Sequence, residues 1–327
     1  MSGRLTIGGC PYQVRYKMKK QSLLFKLFLL SCIVILLSLK VYGSDIPDEA
    51  GTSGLAFLKL GAGARASGMG EAFTAISGDI FSLYWNPAGI AQHKGVEFAF
   101  MHNEWIQDVS LEYAAVCFGY KKNVFGMGLT LSQVSDLERR EGPTENPLSY
   151  FDQHDLAFSF SWGRKLNEKF DLGLSAKFLY EKIDFYSATG FSFDLGGIYF
   201  IKPYLQIGGA IQNFGPKMKF EQEKFNLPTR YKLGMAYSGN ENYLKGEYIL
   251  SLDLVKPRDT DLKVNLGGEY VYKQKFVLRS GYQIGYDDKN LSLGLGLKIK
   301  KYQIDYAFVP FSSDLGNSHR ISINLKI

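Results

Sequence analysis

The sequence predicts an all-β protein, a transmembrane antiparallel β-barrel of about fourteen strands, from three observations. From about Val96 to the C-terminus, apolar residues alternate with polar or small ones, which is typical of strands with two different faces. These alternating stretches are long, and tight links occur at every second connection between them. Only one apolar run reaches the length of a membrane-spanning helix, which excludes a bundle of such helices.

The single apolar run occupies residues 23–39. It follows a cluster of lysines and precedes a small-residue site at residues 41–43. A basic stretch, an apolar stretch and small residues in this order are typical of a secretory signal peptide. We therefore expect residues 1–43 to be an N-terminal extension and signal peptide, with Met18 as a candidate translation start. The alternative is an uncleaved anchor helix.

Residues 1–43 also hold the apparent positive charge of the chain. They contain seven of the 38 basic residues and none of the 32 acidic residues, so the remaining chain has 31 basic against 32 acidic residues. A net charge this close to zero gives no reason to expect a nucleic-acid partner. Two of the three cysteines lie in the same segment, and Cys117 alone cannot form an intramolecular disulfide.

The alternating stretches distinguish a membrane barrel from a soluble sandwich. Leu291, Leu293 and Leu295 alternate with serine and glycine, and a β-sandwich can show the same pattern. However, the stretches run about 9 to 13 residues, which is close to the length of a tilted membrane-spanning strand. Their polar faces carry glycine, serine and alanine rather than the charged residues usual on a solvated sheet. Both features favour the barrel.

The spacing of the connections favours the barrel as well. The short links are residues 121–123, 167–169, 202–204, 239–242, 273–274 and 300–301. The intervening links are longer, at residues 103–110, 135–152, 184–190, 214–228, 256–260 and 311–318, with 287–289 as a short exception. Tight periplasmic turns opposite longer external loops are typical of a transmembrane barrel, and an even number of strands returns both ends to the periplasmic side.

Residues 51–94 do not alternate, and they contain two recognisable runs. The motif residues are Gly61, Gly63, Arg65, Met69 and Gly70 in the first run, and Asn86, Pro87 and Gly89 in the second. Together the runs closely resemble the N-terminus of the PorV/PorQ family, which is similar to the FadL group of outer-membrane transporters. The resemblance implies a fourteen-stranded barrel with an N-terminal plug, and therefore a plug segment at residues 44–94 and a barrel at residues 95–327.

The sequence offers little catalytic or metal-binding chemistry. Residues 61–66 have the form of a dinucleotide fingerprint, but no strand–helix–strand unit accompanies them, so close packing of the plug explains them better. The four histidines are scattered without metal or catalytic spacing, and no nucleophile elbow occurs. We therefore predict no catalytic residue, no metal site and no cofactor.

Ionisable residues inside the barrel form a second candidate site. The strand phase places Lys177, Asp194, Glu269, Arg279 and Asp305 in the lumen. They could line a polar passage or bind the plug, or they could be paired charges that only maintain the shape of the barrel. Mixed signs without a ring of one sign favour the last interpretation. The long loops at residues 135–152 and 214–228 could form a hydrophobic ligand mouth or a docking surface.

The family resemblance also implies a function. It predicts a non-enzymatic component of type IX-like protein export that binds exported proteins at the cell surface. The alternative is a FadL-like transporter of hydrophobic small molecules. The expected partners are outer-membrane lipid, exported cargo proteins and secretion-system components, or a hydrophobic ligand. The expected location is the outer membrane of a Gram-negative-type bacterium, after cleavage of the signal peptide.

Overall fold

The computed structural model describes residues 51–241, 246–312 and 314–327. The signal peptide predicted at residues 1–43 and the start of the predicted plug segment lie outside the described residues. Within the described ranges, no helix is both long enough and apolar enough to cross a membrane.

Fourteen strands form a closed antiparallel barrel, which confirms the predicted fold class and strand count. The barrel strands are β1 (Val96–Glu104), β2 (Ser110–Tyr120), β3 (Asn123–Arg139), β4 (Ser149–Lys165), β5 (Phe170–Ile183), β6 (Tyr186–Lys202), β7 (Leu205–Phe214), β10 (Arg230–Glu241), β11 (Gly246–Pro257), β12 (Lys263–Tyr272), β13 (Phe276–Ile284), β14 (Leu291–Ile299), β15 (Tyr302–Pro310) and β16 (Asn317–Lys326). Each pairs with the next along the chain, β7 pairs with β10, and β1 pairs with β16 to close the barrel.

The alternation of the sequence places large apolar side chains on the outside. On β14, Leu293 and Leu295 point outward and are exposed, whereas the alternating Ser292 and Gly294 are buried. Closure leaves no unpaired strand edge, which a structure in lipid requires because an unsatisfied backbone group there costs several kcal/mol. The exposed outer positions form the apolar surface that faces lipid, which we call the membrane band.

The membrane band ends at a definite level on the loop side of β3 to β5. Leu131 and Leu156 face outward and pair in register. At the next outward level, Gln133 pairs with His154, and His154 pairs with Lys182. Polar and charged side chains therefore replace the apolar ones, and the strands continue beyond this level into solvent.

The strands β3 to β6 project furthest on the loop side. β3, β4 and β6 each have 17 residues and β5 has 14, whereas the other barrel strands have 9 to 12. Half of the loop predicted at residues 135–152 is therefore strand, because β3 and β4 pair as far as Arg139 and Ser149 after a bulge. Outside the membrane the outer face need not be apolar, so the ladder continues after the alternation has ended.

Two further predicted links differ from the structure. Only Asp184 and Phe185 separate β5 from β6, so the long link predicted at residues 184–190 is a tight turn. The prediction of a short link at residues 287–289 is also wrong. The link between β13 and β14 is longer than predicted and occupies residues 285–290. The loop predicted at residues 214–228 contains a small hairpin of its own, β8 (Met218–Phe220) and β9 (Glu223–Phe225).

Residues 51–95 fill the lumen, and we refer to them as the plug. They form 3-10 helices at Ala56–Lys59 and Pro87–Gln92 and short α-helices at Ala64–Gly68 and Ser82–Trp85. The segment Ala64–Gly68 packs against β13 to β16, and Pro87–Gln92 packs against β3 to β6. The plug therefore contacts opposite parts of the wall.

The plug enters the lumen at one end of the barrel and leaves at the other. Ser53 forms a bridge with Asn226 at the loop end. Gly95 accepts a hydrogen bond from Gly119 at the turn end, immediately before β1 begins. The described part of the plug therefore runs the length of the lumen.

Candidate functional site

The barrel wall accommodates the plug through glycines that face inward. A Cβ atom added to Gly208 would lie 2.4 Å from the Thr74 carbonyl oxygen, whereas one added to the neighbouring Gly209 would meet nothing closer than 3.9 Å. The difference arises because successive residues of a strand face opposite sides of the sheet. Two further dipeptides show the same contrast, namely Gly196 with Gly197 and Gly267 with Gly268.

The Asn-Pro-Ala-Gly element organises the second half of the plug. The Asn86 side chain is fully buried, and its amide nitrogen donates to the Thr74 carbonyl at 2.7 Å while its oxygen accepts from the Ala88 amide at 3.1 Å. Pro87 begins the 3-10 helix that Asn86 caps. A Cβ atom at Gly89 would lie 2.6 Å from the Cβ of Ser82, so only glycine fits there. These contacts give each motif residue a packing role within the plug.

The first run of the motif brings backbone close to bulky neighbours. Gly61 and Gly63 have φ angles of +79° and +88°, which glycine adopts more readily than other residues. A Cβ atom at Gly61 would lie 2.7 Å from the Trp85 ring. Met69 is fully buried, and the Gly70 amide donates to a serine hydroxyl of the wall at 3.0 Å.

Arg65 connects the plug to the barrel wall through a chain of buried charges. Its guanidinium contacts Asp79 of the plug at 2.8 Å and both carboxylate oxygens of Glu269 at 2.7 and 2.8 Å. Glu269 also accepts from Arg279 at 2.6 Å, and Arg279 donates to Asp305 at 2.8 Å. Burial alone would lower the pKa of Arg65, but its two carboxylate partners raise that pKa above its ordinary value. This chain of charged side chains is held in place because each of them contacts a neighbour of opposite charge.

The predicted lumen residues fall into two groups. Glu269, Arg279 and Asp305 belong to the chain of charges around Arg65, whereas Lys177 and Asp194 form a separate pair at 2.7 Å. All five side chains are buried. Their mutual pairing is what a shape-maintaining network requires, and one of them, Glu269, also contacts the plug through Arg65. The described residues contain no group of three or more potential metal ligands.

Several contacts at the loop end were not foreseen from the sequence. Lys289 lies 2.9 Å from Glu71 of the plug, and Lys59 pairs with Asp259. Burial raises the pKa of Glu71, but Lys289 and Arg320 lower it more, so its pKa lies below its ordinary value. The partners are separated by about two hundred residues of chain, as in the 218 that separate Lys289 from Glu71. No local pattern signals such a pair.

The β8–β9 hairpin packs over the loop end of the lumen. Met218 is buried against the wall, and the Phe225 ring covers Gly54, where a Cβ atom would lie 2.5 Å away. The Gly54 amide donates to the Asn226 carbonyl at 3.2 Å. The hairpin and the first described residues of the plug therefore close this end together.

The projecting strands and the turn between β5 and β6 carry exposed aromatic side chains beyond the membrane band. Phe185 is 80% exposed and Tyr150 is 60% exposed. The Arg139 guanidinium lies 5.0 Å from the centre of the Phe185 ring and 5.9 Å from that of Phe151, and it also pairs with Asp184. We call Arg139, Phe151, Phe185 and Tyr186 the aromatic platform, together with Tyr150, which faces the opposite side of β4 from Phe151.

Comparison with known families decides the identity of this barrel. Residues 45–243 match the family model described as Type IX secretion system protein PorV. The chain belongs to the PorV family. This confirms the family resemblance, and with the barrel fold it places the PorV-family protein in the outer membrane, as predicted. None of the curated proteins matches the sequence.

Solved structures with the same fold as this PorV-family chain include transporters and channels. The Ralstonia pickettii toluene transporter TbuX is 15% identical with a TM-score of 0.60, and the alignment covers 82% of this chain and 98% of that one. The CymD monoaromatic hydrocarbon channel is 15% identical with a TM-score of 0.61 and the same coverage. A Pseudomonas aeruginosa FadL homologue is 11% identical with a TM-score of 0.54, covering 81% and 98%. At these identities the likeness establishes the fold alone, and it agrees with the predicted FadL-like superfamily.

Proposed function

We propose that this PorV-family barrel is a non-enzymatic surface receptor of type IX-like export, and that it binds exported proteins through the aromatic platform. The observation that carries the proposal is the exposure of Tyr150 on β4 and of Phe185 in the turn between β5 and β6, both beyond the membrane band. Aromatic residues and arginine are enriched where proteins bind one another, and they provide most of the binding energy there.

The support beneath the platform suits a binding surface. Arg139 is held between two rings and an aspartate, and the strands beneath it are paired on both sides. A surface built on strands keeps its shape better than one built on a free loop. A partner therefore meets side chains that lose little conformational freedom on binding.

The filled lumen favours a receptor over a conduit. The wall glycines lie against plug backbone, and Arg65 fixes the plug to Glu269. The predicted alternative is transport of a hydrophobic small molecule, which would require the plug to move. The toluene and hydrocarbon channels with the same fold keep this alternative open as a second prediction.

The receptor proposal is tested by capture of exported proteins with the tagged barrel in outer-membrane extracts. Replacing Tyr150 and Phe185 by alanine is expected to reduce captured protein by about tenfold or more, because a central aromatic contact contributes about 2 kcal/mol. Phe276→Ala is the matched control, since this exposed ring lies at the turn end of β13.

Three outcomes separate the two functions. Loss of capture in the platform variant, with capture retained in Phe276→Ala, supports the receptor. Equal capture by both variants contradicts it. Capture of no protein, together with uptake of a labelled hydrophobic compound that depends on the barrel, would favour transport instead.

A further inference from the structure

The outer face of the barrel carries a groove beside the closure between β1 and β16. The groove has a volume of about 250 Å³ and is lined by outward side chains of four adjacent strands. The main lining residues are Phe100, Ala114, Leu129, Leu131, Ile321 and Ile323. It lies within the membrane band and opens toward lipid, so an alkyl chain is the natural occupant.

Ala114 creates the groove because it is small at a position where its neighbours are large. It pairs in register with Phe100 on one side and with Leu129 on the other. Both neighbours extend beyond the alanine methyl group, so the space above Ala114 forms a channel between them. An alkyl segment in this channel makes dispersion contacts with Ala114 at the base and with Phe100 and Leu129 at the sides. It therefore binds better there than on a flat surface.

Ionisable side chains stand directly above the groove on its loop side. His102 and Glu112 pair in register one outward level above Ala114, a distance of about 7 Å along the strand. The His102 Nδ1 atom lies 2.5 Å from Glu112, and Nε2 lies 3.8 Å from Glu104. All three side chains are between 48% and 74% exposed.

Ionisable residues at this level are unusual because the adjacent outward position is apolar. Glu112 pairs in register with Leu131, the last apolar level of the membrane band on β3. Charged side chains facing lipid are costly, and where they persist they commonly have a function. This level is the last before polar side chains replace apolar ones on β3 and β4, so the head groups of the loop-side leaflet are expected there.

The charge of this group selects the ligand. Two carboxylates flank one imidazole, so the group is negative whichever protonation state His102 adopts. No lysine or arginine lines the groove. An anionic head group is therefore disfavoured, whereas a cationic one with N–H donors complements the carboxylates.

We propose that this face is a specific binding site for an outer-leaflet lipid that carries a primary ammonium group. One acyl chain lies in the groove over Ala114, and the ammonium group donates to Glu112 and Glu104. The site is separate from the aromatic platform, and it gives the barrel a preferred lipid at the side of the molecule where the sheet closes.

Retained lipid measures the site directly. The purified full-length protein is reconstituted into nanodiscs with equal amounts of phosphatidylethanolamine, phosphatidylcholine and phosphatidylglycerol, and is then extracted in mild detergent. Native mass spectrometry is expected to find phosphatidylethanolamine enriched on the protein. Phosphatidylcholine tests the need for N–H donors because it carries the same charge without them, and phosphatidylglycerol tests the need for the cation.

Two variants separate the groove from the head-group site. Ala114→Leu fills the groove and is expected to abolish retention, whereas Val116→Leu, outward on the same strand and outside the groove, is the control. Glu112→Gln is expected to keep a lipid but reduce the preference for phosphatidylethanolamine by about threefold, the size of change that one exposed ion contact supports.

Folding of every variant is checked by its heat-dependent migration in gels, so that loss of lipid is not confused with loss of fold. Equal retention of lipid by Ala114→Leu and Val116→Leu would overturn the assignment of the groove as the site of the acyl chain. A lipid preference unchanged by Glu112→Gln would overturn the assignment of the head group. Retention of a protein at this face in place of lipid would overturn the proposal as a whole.

Discussion

Gly208 and Gly209 are neighbours on one strand and differ mainly in the side of the wall that they face. An alanine at Gly208 would place its methyl group against plug backbone, which cannot move aside as a flexible side chain can. We expect Gly208→Ala to destabilise the folded protein by about 1–3 kcal/mol, and Gly209→Ala to have little effect. Samples are heated to increasing temperatures before electrophoresis. The temperature at which the band of the folded protein disappears then measures the difference in stability between the two variants. Equal temperatures for the two variants would contradict close packing of the plug.

Arg65 gives a second prediction at the scale of single residues. Arg65→Met leaves Asp79 buried without its partner, and removing one partner of a buried ion pair typically costs about 3–5 kcal/mol. Digestion of the plug by protease is therefore expected to accelerate. Arg140→Met is the control because its partner Glu138 is exposed. Unchanged digestion of the Arg65 variant would show that the charge chain does not anchor the plug.

Glu71 makes stability depend on pH in a definite direction. The pKa of Glu71 lies below its ordinary value of 4.5, so its stabilising effect is present above that value and is lost as the pH falls through the lowered pKa. Glu71→Gln is expected to melt at a lower temperature than the wild type at neutral pH. The difference in melting temperature between the variant and the wild type is expected to disappear at acidic pH. A gap that stays constant with pH would show that the ion pair with Lys289 does not stabilise the fold.

At the scale of elements, the β8–β9 hairpin is expected to protect the start of the plug. Replacing residues 217–225 by a short glycine–serine linker removes the ring that covers Gly54. Trypsin is then expected to cut after Lys59 faster than in the wild type. Shortening the loop at residues 140–148 is the control, since it leaves the Gly54–Asn226 contact in place. Equal cutting in both variants would mean that the hairpin does not close the loop end.

The elements also show where sequence-based prediction worked and where it failed. Inside the membrane, lipid and lumen force opposite side chains to opposite faces, so strands such as β14 were predictable from alternation alone. Beyond the membrane this requirement ends, and the extension of β3 to Arg139 had no apolar signal. The turn at Asp184 and Phe185 was missed for the same reason.

The candidate site was less predictable because its partners meet only in three dimensions. The motif residues of the plug were recognised by family resemblance, and the lumen charges by strand phase. Neither cue reveals that Arg65 contacts Glu269, or that Asp79 completes the chain. The platform around Arg139 likewise depends on how far the strands project, which follows from pairing rather than composition.

At the scale of the whole molecule, the filled lumen predicts a barrel that does not conduct. In a planar bilayer, the wild-type protein is expected to show no steady current, whereas deletion of residues 51–92 is expected to open a stable pore. If the deletion prevents folding, Arg65→Met offers a second measurement, with brief openings expected as the plug loosens. A steady current through the wild type would contradict the filled lumen.

The path of the plug also limits the order in which the molecule can assemble. The chain enters at the loop end, near Asn226, and leaves at the turn end, where Gly95 leads into β1. β1 then pairs with β16 at the far end of the sequence, a contact that forms late because the two strands are remote in the chain. If the cylinder closed first, the plug would have to thread through it end first. Folding of the plug against an open, curved sheet avoids that step, so the last strand to pair encloses a plug already in place.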